Sequence, residues 1–118
     1  SQSMGLQPIT VFSVQKTYDA PLSGAPSSSS EQSQGGAWLV SVRAFGDATN
    51  GVINTAVIHM FGGSTSNISV NVLIDTDTGS NTSLSYSRVD PGNGGPHLLR
   101  ITGNNFQTIK TVNAIKLV

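Results

Sequence analysis

Few residues in this sequence are of types that carry chemistry, and their spacing narrows the choice further. Asp75-Thr76-Asp77-Thr78-Gly79 opens like the D-x-D-x-G start of a calcium loop. Calcium takes roughly six to eight oxygen ligands, and an EF-hand loop closes with a bidentate Glu. The residue at that closing position is Tyr86, so the EF-hand reading fails. Asp75 and Asp77 with backbone carbonyls remain a weaker alternative. The favoured reading is a hairpin turn, in which Asp bonds its own backbone and Gly supplies positive φ. His59 and His97 are the only histidines, and there is no Cys. A zinc site draws about four ligands from His, Cys and carboxylate, so no metal or other cofactor is expected. Both histidines read as surface or interface residues. His59 shares a strand face with Val57 and Phe61, which suits a subunit contact, where a histidine could act as a modest pH switch.

Serine is so abundant that a Ser-His-Asp triad can be drawn on paper, but there is no G-x-S-x-G elbow. There is no P-loop or dinucleotide fingerprint either. Asp47, Asp75, Asp77 and Asp90 all fall in predicted turns, and nothing singles out a carboxylate pair for glycosidic chemistry. The expectation is a non-enzymatic protein. The sequons Asn67-Ile68-Ser69 and Asn81-Thr82-Ser83 are chance matches in so Asn/Ser/Thr-rich a chain. Sugar recognition fares better. It needs an aromatic platform and polar groups that fix orientation. Trp38 and Tyr86 alternate inward and read as core. Tyr18, Phe45 and Phe106 border loops and are the candidate platforms. Arg43, Arg88 and Arg100 are read as exposed donors for acidic glycans. With Asp47, Asp90 and Asn93 from the loops, the candidate ligand-binding set is Tyr18, Arg43, Phe45, Asp47, Arg88, Asp90, Asn93 and Phe106.

The composition of the scaffold agrees. The chain has 118 residues, 10% of them charged, with six Lys/Arg against six Asp/Glu. This suits one domain and provides no excess of positive charge for a nucleic-acid backbone. No apolar run is long enough for a membrane-spanning helix, no membrane insertion is expected, and no secretory leader is read at the start. Seventeen Ser, thirteen Gly, eleven Thr and nine Asn exclude a coiled coil and favour an all-β protein wetted by neutral polar groups.

Residues 1–8 read as an irregular lead-in and 9–17 as a β-branched strand, giving an N-terminal unit over 1–20. Residues 21–36 are rich in Ser, Pro and Gly and read as a loop or linker. From 37 to 118, short strands alternate with turn signals at the spacing of sandwiches. The clearest alternation is Ile68, Val70, Val72 and Ile74 against Asn67, Ser69 and Asn71. The predicted inward set also includes Trp38, Val40, Val42, Val52, Ala56, Ile58, Met60, Leu84, Tyr86, Leu99, Ile101, Ile109, Ile115 and Leu117. The expected fold is an antiparallel two-sheet β-sandwich of seven to eight strands, jelly-roll-like. Two strands are apolar on both faces, with Ile53, Val57 and Phe61 on the second face of 52–61. Val112, Ala114 and Val118 occupy the second face of 109–118. Strands apolar on both faces are usually covered on both, so Ile53, Val57, His59, Phe61, Val112 and Val118 are the candidate subunit interface.

The order of segments resembles the small C-terminal modules of phage tail fibres, tailspikes and appendages. Gly36-Ala37-Trp38-Leu39-Val40-Ser41-Val42 is similar to their opening "G-x-W/Y-L-V-S-V" strand. There follow an apolar strand ending in small residues (Ala56 to Gly63), a "V-x-V" strand (Ser69 to Val72) and a Ser-rich strand (Leu84 to Ser87). An "L-x-I-T" strand (Leu98 to Thr102) and an apolar closing strand (Val112 to Val118) complete the pattern. The likeness covers residues 36–118 and concerns strand order, with no catalytic signature. It implies a jelly roll similar to the tumour-necrosis-factor fold, assembled as a homotrimer at the tip of a virion fibre or spike. Its work would be fibre trimerisation and attachment to a host-surface glycan or protein receptor outside the cell. Two rivals predict different behaviour: a monomeric carbohydrate-binding module of a secreted enzyme, and a capsid or decoration jelly roll.

Overall fold

The computed structural model describes residues 6–29, 33–45, 51–76, 84–104 and 108–118, with 6–15 as backbone alone. Asp47, Asp77, Phe106 and the sequon at 81–83 lie outside the described residues. Among the described residues there are eight strands: β1 (Leu6–Gln15), β2 (Thr17–Pro21), β3 (Gly35–Phe45), β4 (Gly51–Phe61), β5 (Ile68–Asp75), β6 (Leu84–Val89), β7 (Leu98–Gly103) and β8 (Thr108–Lys116). All pairings are antiparallel. They form a five-stranded sheet, β1-β8-β3-β4-β5, and a three-stranded sheet, β2-β7-β6. The protein is an all-β two-sheet sandwich. The strand predicted at 9–17 divides at Lys16, with β1 in the large sheet and β2 in the small one. The outer pairs β1–β8 and β2–β7 are nested across the two sheets. The middle, β3-β4-β5, is a meander within one sheet.

The core lies between the sheets. Trp38, Val40, Val42 and Ala44 of β3 and Val52, Ala56, Ile58 and Met60 of β4 point inward, opposed by Leu84, Leu99 and Ile101. Period-two alternation of β-branched residues against Ser, Thr and Arg sets these faces. Gly35 and Gly36 open β3 because the backbone approaches too closely for a side chain. A Cβ on Gly35 would lie 2.1 Å from the Met60 carbonyl, and one on Gly36 would lie 2.6 Å from the Val118 carbonyl.

Two bulges overturn the predicted inward set. In β8, Arg43 faces Thr111 while Ala44 faces Ile109, so Lys110 is the extra residue. Beyond it the alternation flips. Val112 and Ala114 are buried, whereas Ile115 and Leu117 are exposed. Val112 is therefore a core residue and is removed from the candidate interface. In β5, Ala56 faces Val72 and Thr55 faces Ile74, so Leu73 is extra and Ile74 joins the outer face. Val70 and Val72 keep the inward orientation yet are 38% and 46% exposed. They project past the three-stranded sheet, which is too narrow to cover the edge of a five-stranded one.

The segment read as a loop or linker contributes to the core. Leu22, Ala25 and Pro26 are buried, and the Trp38 indole N–H donates to the Ser23 carbonyl at 3.0 Å. Proline and small residues pack here by their shape, without strand pairing.

A buried polar contact crosses the core. Tyr86 donates its hydroxyl to Asn54 Oδ1 at 2.5 Å, and Asn54 is fully buried. Burial raises the Tyr86 pKa, and the charge of Asp75 raises it further. An unfolded tyrosine ionises near pH ~10, while the folded one resists. The stability Tyr86 contributes is thus complete below that pH and is lost as pH rises through the folded value. Burial raises Tyr18 in the same direction. Tyr86→Phe is expected to cost about 1–2 kcal/mol at neutral pH, because Asn54 loses its partner. It should also flatten the alkaline fall in stability. Urea unfolding at stepped pH reads both effects, and an unchanged alkaline slope would refute the assignment to Tyr86.

Candidate functional site

The outer face of the five-stranded sheet is built from the residues that alternate with the core. On β4 these are Ile53, Thr55, Val57, His59 and Phe61, the parity opposite to Val52, Ala56 and Ile58. Cross-strand register lines them up in rows. Ile115, Leu39, Val57 and Asn71 form one row, and Asn113, Ser41, Thr55 and Ile74 the next. Ser41 and Thr55 share a hydroxyl hydrogen bond of 2.9 Å. Ile53, Phe61, Ile74, Ile115 and Val118 are exposed, and Leu39 and Val57 are half-buried by their neighbours. Among the described side chains of these rows and of β4, His59 is the only ionisable group. Arg43 flanks them, opposite Ile53 and Thr111. The structure thus brings together five of the six candidate interface residues, Ile53, Val57, His59, Phe61 and Val118. It adds Leu39, Ile74 and Ile115, whose outward positions the bulges and register determine. A groove of about 280 Å³ lies at the end of this face, floored by Gly35 and Gly36 and walled by His59, Phe61 and Val118.

The candidate ligand-binding residues do not form one site. Arg43 and Phe45 lie near the end of the sandwich where β3 passes to β4. Asp90 and Asn93 lie at the opposite end, on the β6–β7 loop. The Phe45 ring packs over Gly51, where a Cβ would sit 2.9 Å from it, and Phe45 remains 36% exposed. Tyr18 is on the inner face of the small sheet, in a row with Ile101 and Tyr86, and packs against the core. Asp90 Oδ1 accepts from the Gly92 N–H, and Asn93 Oδ1 from the Gly95 N–H, each at 2.8 Å. Both carboxylate and amide are thus committed in part to shaping their own loop.

Arg88 corrects the sequence reading most sharply. It is 4% exposed, and its guanidinium holds the β4–β5 loop from inside. Nη1 donates to the Phe61 carbonyl and, at 3.0 Å, to the Asn67 carbonyl. Nη2 donates to the Gly63 carbonyl at 3.3 Å. Nε donates to His97 Nδ1 at 2.8 Å. Burial lowers the Arg88 pKa, though an arginine still stays charged. His97, read as a surface or interface residue, is 1% exposed, and its backbone N–H donates to the Pro26 carbonyl at 2.9 Å. Neither side chain is presented to a glycan. The signal was present in the spacing. Arg88 continues the inward parity of Leu84 and Tyr86, and His97 that of Leu99 and Ile101. Arg100 has the opposite parity and pairs on the outside of the small sheet, its Nε 2.8 Å and Nη2 2.9 Å from the Asp19 carboxylate. That contact lowers the Asp19 pKa.

Asp75 ends β5 on the side of the sheet facing Tyr86, and among the described residues no cluster of three or more His, Asp or Glu forms a metal cage. No helix of the described residues is long and apolar enough to cross a membrane. No family model matches the chain, and comparisons with curated proteins and with solved structures gave no match.

Proposed function

We propose that this chain is a non-enzymatic homotrimeric module at the tip of a phage tail fibre or spike. In this reading it trimerises the fibre and attaches the virion to a host-surface receptor, most simply a glycan. One observation carries the assembly part: the large sheet exposes a face rich in Ile, Leu, Val and Phe, with few charges. Contiguous exposed apolar surface of this kind marks interaction sites on soluble proteins. The resemblance of residues 36–118 to phage appendage modules supplies the setting and the three-fold symmetry. Attachment would fall to the loops at the ends of the sandwich, with Asp90 and Asn93 at one end and Arg43 at the other. Three copies of a weak loop site raise avidity without new contacts.

The test is light scattering on a sizing column across a dilution series. A species of three times the 12.2 kDa chain mass that persists on dilution is expected. Val57→Lys, placed in the middle of the face, should return it to a folded monomer with an unchanged far-UV spectrum. A monomeric wild type at high micromolar concentration would overturn the trimer. A glycan array on that monomer would then test the carbohydrate-binding module instead.

A further inference from the structure

His97 stands between two groups that prefer different protonation states of its ring. Its Nδ1 accepts the Arg88 Nε–H at 2.8 Å, so the ring proton of neutral His97 sits on Nε2. Nε2 is buried and has no hydrogen-bond partner among the described residues. It faces Asp90 Oδ2 at 3.8 Å, beyond hydrogen-bond range, and the His97 side chain is fully buried while that of Asp90 is 44% exposed. A proton added to Nδ1 would set an imidazolium N–H against a guanidinium N–H. Two donors and two positive charges would then meet where one hydrogen bond stood. The same proton would make a cation of the ring whose Nε2–H already faces Asp90 at 3.8 Å. The acceptor side of the pair is lost as the other side gains.

We propose that His97 is an acid-sensitive latch on the loop between β4 and β5. In the neutral state His97 helps fix Arg88, whose guanidinium holds the carbonyls of Phe61, Gly63 and Asn67. Protonation transfers His97 from Arg88 to Asp90, displaces the guanidinium and loosens residues 61–67. Among the described residues, the charged groups facing His97 are Arg88 from β6 and Asp90 from the β6–β7 loop. Residues 22–29 and 62–67 contain no ionisable side chain. Lys116 of β8 reaches Gly24 of the first of these loops, and Arg100 of β7 is taken up by Asp19 of β2. The latch is independent of the trimer, since Arg88 and His97 are enclosed within one chain.

The experiment is two-dimensional NMR of the whole chain from about pH 8 to pH 5, the range in which histidine ordinarily changes charge. The backbone amides of Gly63 and Asn67 and the His97 ring nitrogens are followed together. At the upper pH the ring is expected as the Nε2–H tautomer. On acidification the Gly63 and Asn67 amides should move with the same midpoint as the His97 ring. His97→Asn keeps an acceptor near the Nδ1 position without titrating, so its Gly63 and Asn67 amides should stay in place. Asp90→Asn should shrink the response, because the imidazolium loses its counter-charge. An Nδ1–H tautomer at the upper pH would overturn the proposal in the wild type alone, whether or not the variants fold. So would a His97 ring that stays neutral throughout, or loop amides that move equally in His97→Asn.

Discussion

Trp38→Ala is expected to lower stability by about 3–5 kcal/mol, the usual range for truncating a large buried aromatic. Domains of this size have only about 5–15 kcal/mol in total, so much of the chain's stability rests on this side chain. Trp38 is fully buried on a central strand of the large sheet, between Ile58 of β4 and Lys116 of β8. Its indole also reaches out of the sheet to the Ser23 carbonyl. One residue therefore fills the core and fastens the segment 22–26 over its end. Trp38→Phe separates the two roles. It keeps most of the ring volume but removes the indole N–H that donates to the Ser23 carbonyl, so a smaller loss is expected, together with faster amide exchange around Leu22 and Ala25. Urea unfolding followed by circular dichroism gives the energies, since Trp38 is the only tryptophan and its fluorescence disappears with it. Val70→Ala is the contrasting case. Val70 points the same way as Ile58 across the β4–β5 pair but is 38% exposed. Its loss should cost well under that of a core valine, about 0.5 kcal/mol. A core-sized loss at Val70 would mean that something covers the overhanging edge in solution.

The contrast between Trp38 and Val70 shows what alternation can and cannot reveal. Period two identified the faces of β3, β4, β6 and β7, because those strands carry no extra residue and the opposing sheet lies overhead. It failed in β5 and β8 for two separable reasons. A single extra residue, Leu73 or Lys110, reverses every position beyond it, and neither bulge is marked by glycine or proline. The width of the opposing sheet is set by long-range pairing, which no local window contains. The apolar face on β4 was legible from Ile53, Val57 and Phe61, since both parities of that strand are apolar. The polar interior was legible in principle from the parity of Asn54, Arg88 and His97. Parity alone does not decide it, because a charged or amide side chain is ordinarily solvated, and only the fold shows partners that make burial affordable.

Those partners make Arg88→Met the second large effect, again about 3–5 kcal/mol, in the range for breaking a buried charged contact by removing one side. Methionine can replace the arginine's volume but none of its donors. The carbonyls of Phe61, Gly63 and Asn67 and the Nδ1 of His97 would all lose the same guanidinium. Arg88→Lys should rescue little. An ammonium is a single point with three donors, whereas the contacts here are spread around a planar fork. The damage should also be local before it is global. The Phe61 N–H to Asn67 carbonyl bond, 3.2 Å, closes the turn that Arg88 grips from beneath, so amide exchange at Phe61 should accelerate more than at Val40 or Ile58 in mid-sheet. Arg100→Met provides the control. It removes the same side chain from an exposed pair with Asp19, where solvent takes up the freed carboxylate, and little change is expected. If Arg88→Met and Arg100→Met unfolded at the same urea concentration, the buried guanidinium would be dispensable. The end of the sandwich would then have to be ordered by the turn residues alone. A loss confined to Arg88→Met, with exchange fastest at 61–67, would make that loop's shape a consequence of one inward-facing arginine.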